Sequence, residues 1–218
     1  MTGQQVVVLG LGLFGASVAR NLYQQEHQVL GIDMNERIIR EIAPQITEAV
    51  QGDATDEATL RDLGVNNYDA AIVAFGGDVP TSLMVTVLLK NLGVPYIVAR
   101  SHDALHGSTL QRIGANKIIS PEEETGERVA HSLAYPKVVD YMGISRNYGI
   151  SKIAASGNLY GKTLEEISSI EKNVANVVLI KRAGNQIIYS PDRFEKILEG
   201  DELLVSGLDE DLENLKIG

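Results

Sequence analysis

Gly10, Gly12 and Gly15 form a G-x-G-x-x-G, and an acid, Asp33, stands about 20 residues downstream. Glycines at this spacing bring bare backbone N–H groups close to a phosphate. Gly10 allows a tight turn, Gly12 lacks the Cβ that would hold an anion away, and Gly15 lets a helix pack against a strand. A helix starting there offers unpaired N–H groups and the positive end of its dipole. A carboxylate closing the next strand accepts hydrogen bonds from ribose hydroxyls and repels a 2′-phosphate. The combination predicts a nucleotide site. The competing reading is a nucleotide-type fold with an empty or altered pocket.

The loop carries this meaning only in its setting, and the setting is present. An apolar strand, residues 6–9, runs straight into Gly10; an amphipathic run, 16–25, follows; a second strand, 28–32, ends in Asp33. The same rhythm continues for about 120 residues. Strands are predicted at 6–9, 29–32, 49–50, 70–74, 96–99 and 117–119, with helices near 14–25, 36–43, 56–63, 80–92 and 103–112. Continuous apolar strands alternating with helices imply a parallel sheet covered on both faces, a Rossmann-type doubly wound α/β domain whose ligand crevice lies at the strands' carboxyl ends.

Past residue 120 the pattern changes. Residues 121–133 predict a helix with Pro121 at its start and Glu122, Glu123 and Glu124 in its first turn, where acids suit the dipole. After Tyr135-Pro136 a short helical run to Met142 is expected, then a polar stretch. The remainder reads as a small α+β domain: strands at 150–156, 176–182, 186–189 and 202–206, a short helix at 163–167 and a terminal helix at 209–215. The expected division is 1–135 and 136–218. A unit this small buries little core alone, so oligomerisation would help it.

Several further residues face the expected crevice. Asp53, in Gly52-Asp-Ala-Thr55, either accepts a hydrogen bond from an adenine amino group or caps the next helix. Gly76 closes the fourth strand and permits close approach of a phosphate or sugar, the alternative being a plain turn. Arg100 ends the fifth strand and suits a phosphate. Glu122 follows the sixth, where a carboxylate beside a polyphosphate makes sense only with a bridging cation. For Arg100 and Glu122 alike, a surface ion pair is the simpler alternative. Two motifs resemble enzyme sites. Tyr148-x-x-x-Lys152 fits the catalytic pair of short-chain dehydrogenases, but that pair needs a helix, which Gly149, Ile150 and Ser151 disfavour. Gly157 to Thr163 falls one residue short of a P-loop, and Thr163 with Glu166 instead suits a capping box. The four histidines lack ligand spacing, although His102 and His106 sit at i, i+4. No nucleophile–base pair stands out.

Bulk properties narrow the partners. With 19 basic against 29 acidic residues the formal net charge is −10, which argues against nucleic acid and anionic lipid headgroups. No cysteine is present, so there is no disulfide, thiolate metal site or cysteine nucleophile. No run approaches a membrane span, and the first residues lack a signal-peptide pattern. A cytoplasmic protein without direct membrane insertion is expected, reaching a membrane only through a partner.

The order of motifs resembles a known family, the cytosolic, ring-forming RCK (TrkA-N/TrkA-C) regulators of K⁺ channels and Ktr/Trk-type transporters. The likeness covers essentially the whole chain. It rests on Val8-Leu-Gly-Leu-Gly-x-Phe-Gly15, Gly31-Ile-Asp-Met-Asn35, Gly52-Asp-Ala-Thr55, Ile113-Gly-Ala-Asn-Lys-Ile-Ile-Ser-Pro-Glu122 and Leu198-Glu-Gly-Asp-Glu-Leu-Leu-Val-Ser-Gly207. The resemblance implies a non-enzymatic regulatory subunit. Dimers would assemble into an octameric ring beneath an integral membrane K⁺-translocating subunit, peripheral to the inner face of the cell membrane. ATP, ADP or NAD(H) would change the ring's shape and gate transport. It further implies that Asp33 and Asn35 hold the ribose, that Asp53 and Ala54 lie near adenine, and that the loop Gly10, Gly12, Leu13, Phe14 and Gly15 binds the cofactor with its glycines facing phosphate. Arg100 would add positive charge, Glu122 would approach Mg²⁺ or Ca²⁺ at the phosphates, and the helices between Glu122 and Met142 would cross to a neighbouring subunit. Leu13 departs from the pattern: relatives often carry an arginine there, so strong discrimination of ATP from ADP is not expected. Some relatives bind cyclic di-AMP in the C-terminal domain, and no residue pattern here decides that. The competing functions are a small NAD-dependent dehydrogenase and an orphan nucleotide sensor.

Overall fold

The computed structural model describes residues 3–134, 138–145, 147–157, 159–167, 175–208, 210 and 212. The chain divides into two compact units, Met1–Pro121 and Glu122–Gly218, so the helix after the sixth strand belongs almost wholly to the second unit and not to the first, where the expected division at 135 put it.

In the first unit β1 (Gln5–Leu9) leads through the glycine loop into α1 (Leu13–Gln24), and then β2 (Gln28–Asp33), α2 (Glu36–Ile42), β3 (Glu48–Gln51), α3 (Glu57–Asp62), β4 (Ala70–Val73), α4 (Val79–Leu92), β5 (Ile97–Arg100), α5 (Ala104–Ile113) and β6 (Lys117–Ile119) follow. The six strands form one sheet in the order β3-β2-β1-β4-β5-β6, and every pair is parallel. Alternation along β1 explains its unbroken apolar run. Val7 and Leu9 enter one core with Leu60, Leu89 and Ile97, while Val6 and Val8 enter another with Ala19, Val29 and Ile42. A strand covered on both faces has no polar side to show. The order reverses at β1: the chain steps outward to β3, then returns to β4 on β1's other flank. The carboxyl ends of β1 and β4 therefore part their loops in opposite directions and leave a crevice.

Four of the five helices α1–α5 start in a common way. Asn35 caps α2 by accepting from the Arg37 N–H at 3.0 Å, Asp56 caps α3, Asp78 caps α4 and Asp103 caps α5 through the His106 N–H at 2.7 Å. By contrast, α1 starts on Gly12 with no side-chain cap and no acid in its first turn. Its first N–H groups are thus left to another partner.

The second unit opens with α6 (Pro121–Ala134) and continues with β7 (Val138–Ser145), β8 (Tyr148–Ala154), β9 (Ala175–Lys181), β10 (Ile187–Tyr189) and β11 (Glu202–Leu208). These form an antiparallel sheet in the order β10-β9-β11-β8-β7. Its core gathers Tyr141, Ile153, Leu164, Ile180, Ile197 and Val205. On the opposite face Glu202 of β11 receives both Lys152 of β8, at 3.0 Å, and Lys181 of β9, at 3.1 Å. A bidentate pair joins α6 to β7, Arg128 Nη2 lying 2.8 and 2.9 Å from the Asp140 oxygens, and the His131 ring stacks on Tyr141 at 3.8 Å.

Two expectations are corrected here. Residues 138–142 are not helical; they begin β7, paired with β8. The crossover expected between Glu122 and Met142 is accordingly one helix to Ala134 and then a strand, with 135–137 outside the described residues. The pairing shifts register between Val138 and Asp140, and that irregularity breaks the period of two that marks a strand. Tyr148 and Lys152 lie on β8, so the dehydrogenase-like pair has no helix to align it. Glu166 reaches back to the Thr163 N–H at 2.7 Å, the expected capping-box contact. Of the expected terminal helix, only Glu210 and Leu212 lie among the described residues, and both are helical.

Candidate nucleotide crevice

The glycine loop is locked by contact between its own ends. Gly10 has φ +88°, a left-handed conformation that side chains disfavour. A methyl carbon built on Gly15 would land on the carbonyl oxygen of Gly10 and reach Ala74 Cβ at 3.1 Å. Gly12 is the opposite case, because a Cβ there meets no atom within 4 Å. The space over Gly12 is open, at the uncapped start of α1, and this is the approach a phosphate requires.

Asp33 ties this loop to the end of β2. Its Oδ2 accepts from the Leu11 N–H at 2.8 Å and its Oδ1 from the Asn35 N–H at 2.8 Å. Each oxygen keeps further lone-pair capacity for a hydroxyl. Asp33 lines a cavity of about 280 Å³ with Ile32, Asp53, Ala54, Phe75 and Asp78 among its other walls. Asp53 does not cap α3; Asp56 does. Asp53 Oδ1 instead accepts from the Thr55 N–H at 2.8 Å and hydroxyl at 2.7 Å, a turn that holds the carboxylate at the cavity.

Three of the remaining expected residues, Phe14, Gly76 and Arg100, form a second group. Phe75 packs under Gly10, a Cβ on which would meet the Phe75 ring at 3.0 Å. The Arg100 guanidinium lies against Gly76, leaving no room there for a Cβ, and its Cζ stands 5.6 Å from the centre of the Phe14 ring. Arg100, Gly76 and Phe14 thus share one patch next to the loop. Leu13, the first residue of α1, is 97% exposed. Asn35 caps α2 through its Oδ1 and gives its backbone N–H to Asp33. Glu122 belongs to the second unit, in the first turn of α6. Among the described residues no cluster of three His, Asp or Glu side chains could hold a metal ion.

Sequence reasoning missed Asp78 and Thr81, both on the cavity wall. The Thr81 hydroxyl donates to Asp78 Oδ2 at 2.7 Å and the Thr81 N–H to Oδ1 at 3.1 Å. These two bonds hold the Asp78 carboxyl below the usual carboxylate range. The signal was present, since Asp-x-x-Thr directly after Gly76-Gly77 is a cap at a strand's carboxyl end, where loops meet ligands.

The family model of the TrkA-N domain matches residues 6–121. Ktr system potassium uptake protein C of Bacillus subtilis (strain 168) is 36% identical over 204 residues, covering 94% of this chain and 92% of the relative. Ktr system potassium uptake protein A of the same organism is 34% identical over 213 residues, covering 98% and 96%. Among solved structures, the GsuK RCK domain superposes with a TM-score of 0.67 at 20% identity over 99% of this chain and 47% of that one. The GsuK channel bound to NAD gives 0.65 at 20% over 100% and 40%. The chain spans less than half the length of those GsuK chains, and the likeness to them is one of fold.

Proposed function

The chain belongs to the TrkA-N family, and from that premise we propose that it is the nucleotide-binding regulatory subunit of a potassium uptake system. The observation that carries the reading is a match to Ktr potassium uptake proteins along nearly the whole of both chains. The crevice supports it. Its residues suit a nucleotide: open space over Gly12, an uncapped helix start, Arg100 beside the loop, and carboxylate oxygens of Asp33 able to take ribose hydroxyls. What a bound nucleotide supplies is differential affinity for two arrangements of the assembled protein. The chain's own part is to bind and orient it. Gly12 admits the phosphates, Asp33 fixes the ribose edge and rejects a 2′-phosphate, and Asp53 and Ala54 shape the base end.

The finer reading is ours as well: a homo-oligomeric ring, an integral membrane K⁺-translocating partner, a cytoplasmic place on the inner face of the membrane, and no catalysis. ATP, ADP or NAD(H) would be the ligand. For the second unit, cyclic di-AMP is a ligand to include in the same binding assay. The test is co-expression with a Ktr-type potassium-translocating membrane subunit, in cells that lack other K⁺ uptake. Growth at low K⁺ should require both proteins, and purified chain should bind a nucleotide as a ring-sized particle. Uptake indifferent to this chain would overturn the reading. So would substrate-dependent oxidation of NADH by the purified chain, in favour of a dehydrogenase.

Glu122 is proposed as a ligand of a divalent cation, as a statement about that residue alone. Glu122→Gln should abolish any gain in nucleotide affinity on adding Mg²⁺ or Ca²⁺ and leave cation-free binding intact, as read by calorimetry. An unchanged cation effect would remove the residue from this role.

A further inference from the structure

His106 sits in the first turn of α5 and is only 4% exposed. Its Nδ1 accepts from the His102 N–H at 3.1 Å, so that nitrogen carries no proton. Its own backbone N–H goes to Asp103 Oδ1. The ring thus closes the turn between β5 and α5 from inside, directly after Arg100 and the buried Ser101. The other ring nitrogen, Nε2, is also buried and meets no hydrogen-bond partner. An asparagine oxygen would accept the same His102 N–H without burying a ring nitrogen that finds no acceptor. What the imidazole adds is a proton equilibrium close to neutral pH.

Three features hold the ring neutral. Burial pushes its titration below the ordinary histidine range, with Asp103 opposing and His102 assisting. The start of α5 carries the positive end of the helix dipole, which repels a cation. A proton on Nδ1 would also point at the His102 N–H, donor against donor. The elements packed against α5 are α4, β5 and β6. Their charged groups are Lys90 of α4 and the Asp78 that caps it, Arg100 of β5 and Lys117 of β6. Lys90 lies against Gly114, so it and Lys117 stand at the other end of α5, as does the helix's own Arg112. Arg100 stands over the Phe14 ring of α1, on the opposite face of the sheet. The acids Asp103 and Asp78 are left at the end where His106 sits. Asp103 is exposed, so a charged ring gains by swinging out to it and to water.

We propose that His106 is a proton-sensitive latch on the β5–α5 turn: acid drives the ring out of the core, frees the His102 N–H and loosens the strand end that carries Arg100. The latch is a property of the fold and does not depend on which ligand the crevice takes.

Two measurements on the full chain without nucleotide, between about pH 7.5 and 5.5, decide it. In amide hydrogen exchange, corrected for the intrinsic effect of pH, protection of residues 101–107 should fall about tenfold on acidification while that of β1 holds. Urea unfolding is the second. The neutral ring stabilises the native state above the unfolded histidine's value of about 6.5, and this contribution is lost as pH falls below it. His106→Asn keeps an acceptor for the His102 N–H and cannot titrate. Relative to that variant, the unfolding constant of the native chain should rise by up to about tenfold between those pH values. Unchanged protection of residues 101–107 would overturn the inference. So would a parallel pH dependence of the native chain and His106→Asn. Should the variant fail to fold, exchange on the native chain decides alone. No arm uses a nucleotide, so the latch and the nucleotide reading stand or fall separately.

Discussion

Gly15→Ala is expected to lose nucleotide binding and much of the first unit's stability in one step. The added methyl lands on the Gly10 carbonyl oxygen, which belongs to backbone and cannot rotate aside. Relief requires α1 to move from β1 or the loop to open, and each disturbs a core that contains Val6, Val8, Ala16 and Ala19. Overpacking of this kind costs about 3 kcal/mol. A loop displaced by an ångström loses its approach to phosphate, so affinity should fall by roughly a hundredfold or more. Gly12→Ala is the matched control. Its methyl meets nothing within 4 Å, so the urea midpoint should stay in place while the nucleotide, which needs that space, binds more weakly. A Gly15→Ala protein with unchanged midpoint and affinity would show that the loop opens freely and that the close approach is incidental.

Asp33→Ala should be nearly as severe, for a different reason. Both carboxylate oxygens already accept backbone N–H groups, from Leu11 in the glycine loop and from Asn35 at the start of α2. Removal orphans the part-buried Leu11 N–H, at a cost of about 1–3 kcal/mol. It also deletes the acceptors offered to the ribose. Nucleotide affinity should drop about a hundredfold, with a lower thermal midpoint. Asp33→Asn separates the two effects. One amide oxygen can satisfy one N–H, and the negative charge facing a 2′-phosphate is gone. Preference for NADH over NADPH should therefore shrink about tenfold while the fold survives. A preference that stays the same would place the 2′ position away from Asp33.

The glycine loop, the six parallel strands and Asp33 were legible in the sequence because each obeys a local rule: an apolar run, a helical period, and an acid at the expected distance. What was less legible depends on pairing. Residues 138–142 read as helix because Val138, Val139, Tyr141 and Met142 fit helical spacing, and only their register against β8, with its shift at Asp140, makes them a strand. Asp53 and Asp56 are three residues apart, and both can cap. The winner, Asp56, is fixed by where α3 starts, which depends on packing of Leu60 against the sheet. Asp78 was visible as a residue after two glycines, but its place on the cavity wall follows from the neighbouring loops after β2 and β3, which its own stretch of chain does not encode.

The two lysines that meet on Glu202 matter less for how firmly the second unit holds together than for which way its strands can slide. Side chains this open to water make ion pairs worth little in free energy. They do mark alignment. Moving β8 or β9 along β11 by one residue would turn Lys152 or Lys181 to the covered face and bring an apolar neighbour, Ile153 or Ile180, out to water. The lysine pair on Glu202 thus marks the register that the apolar alternation holds across three adjacent strands. A one-residue slip of β8 or β9 is therefore opposed by the loss of apolar burial on the covered face.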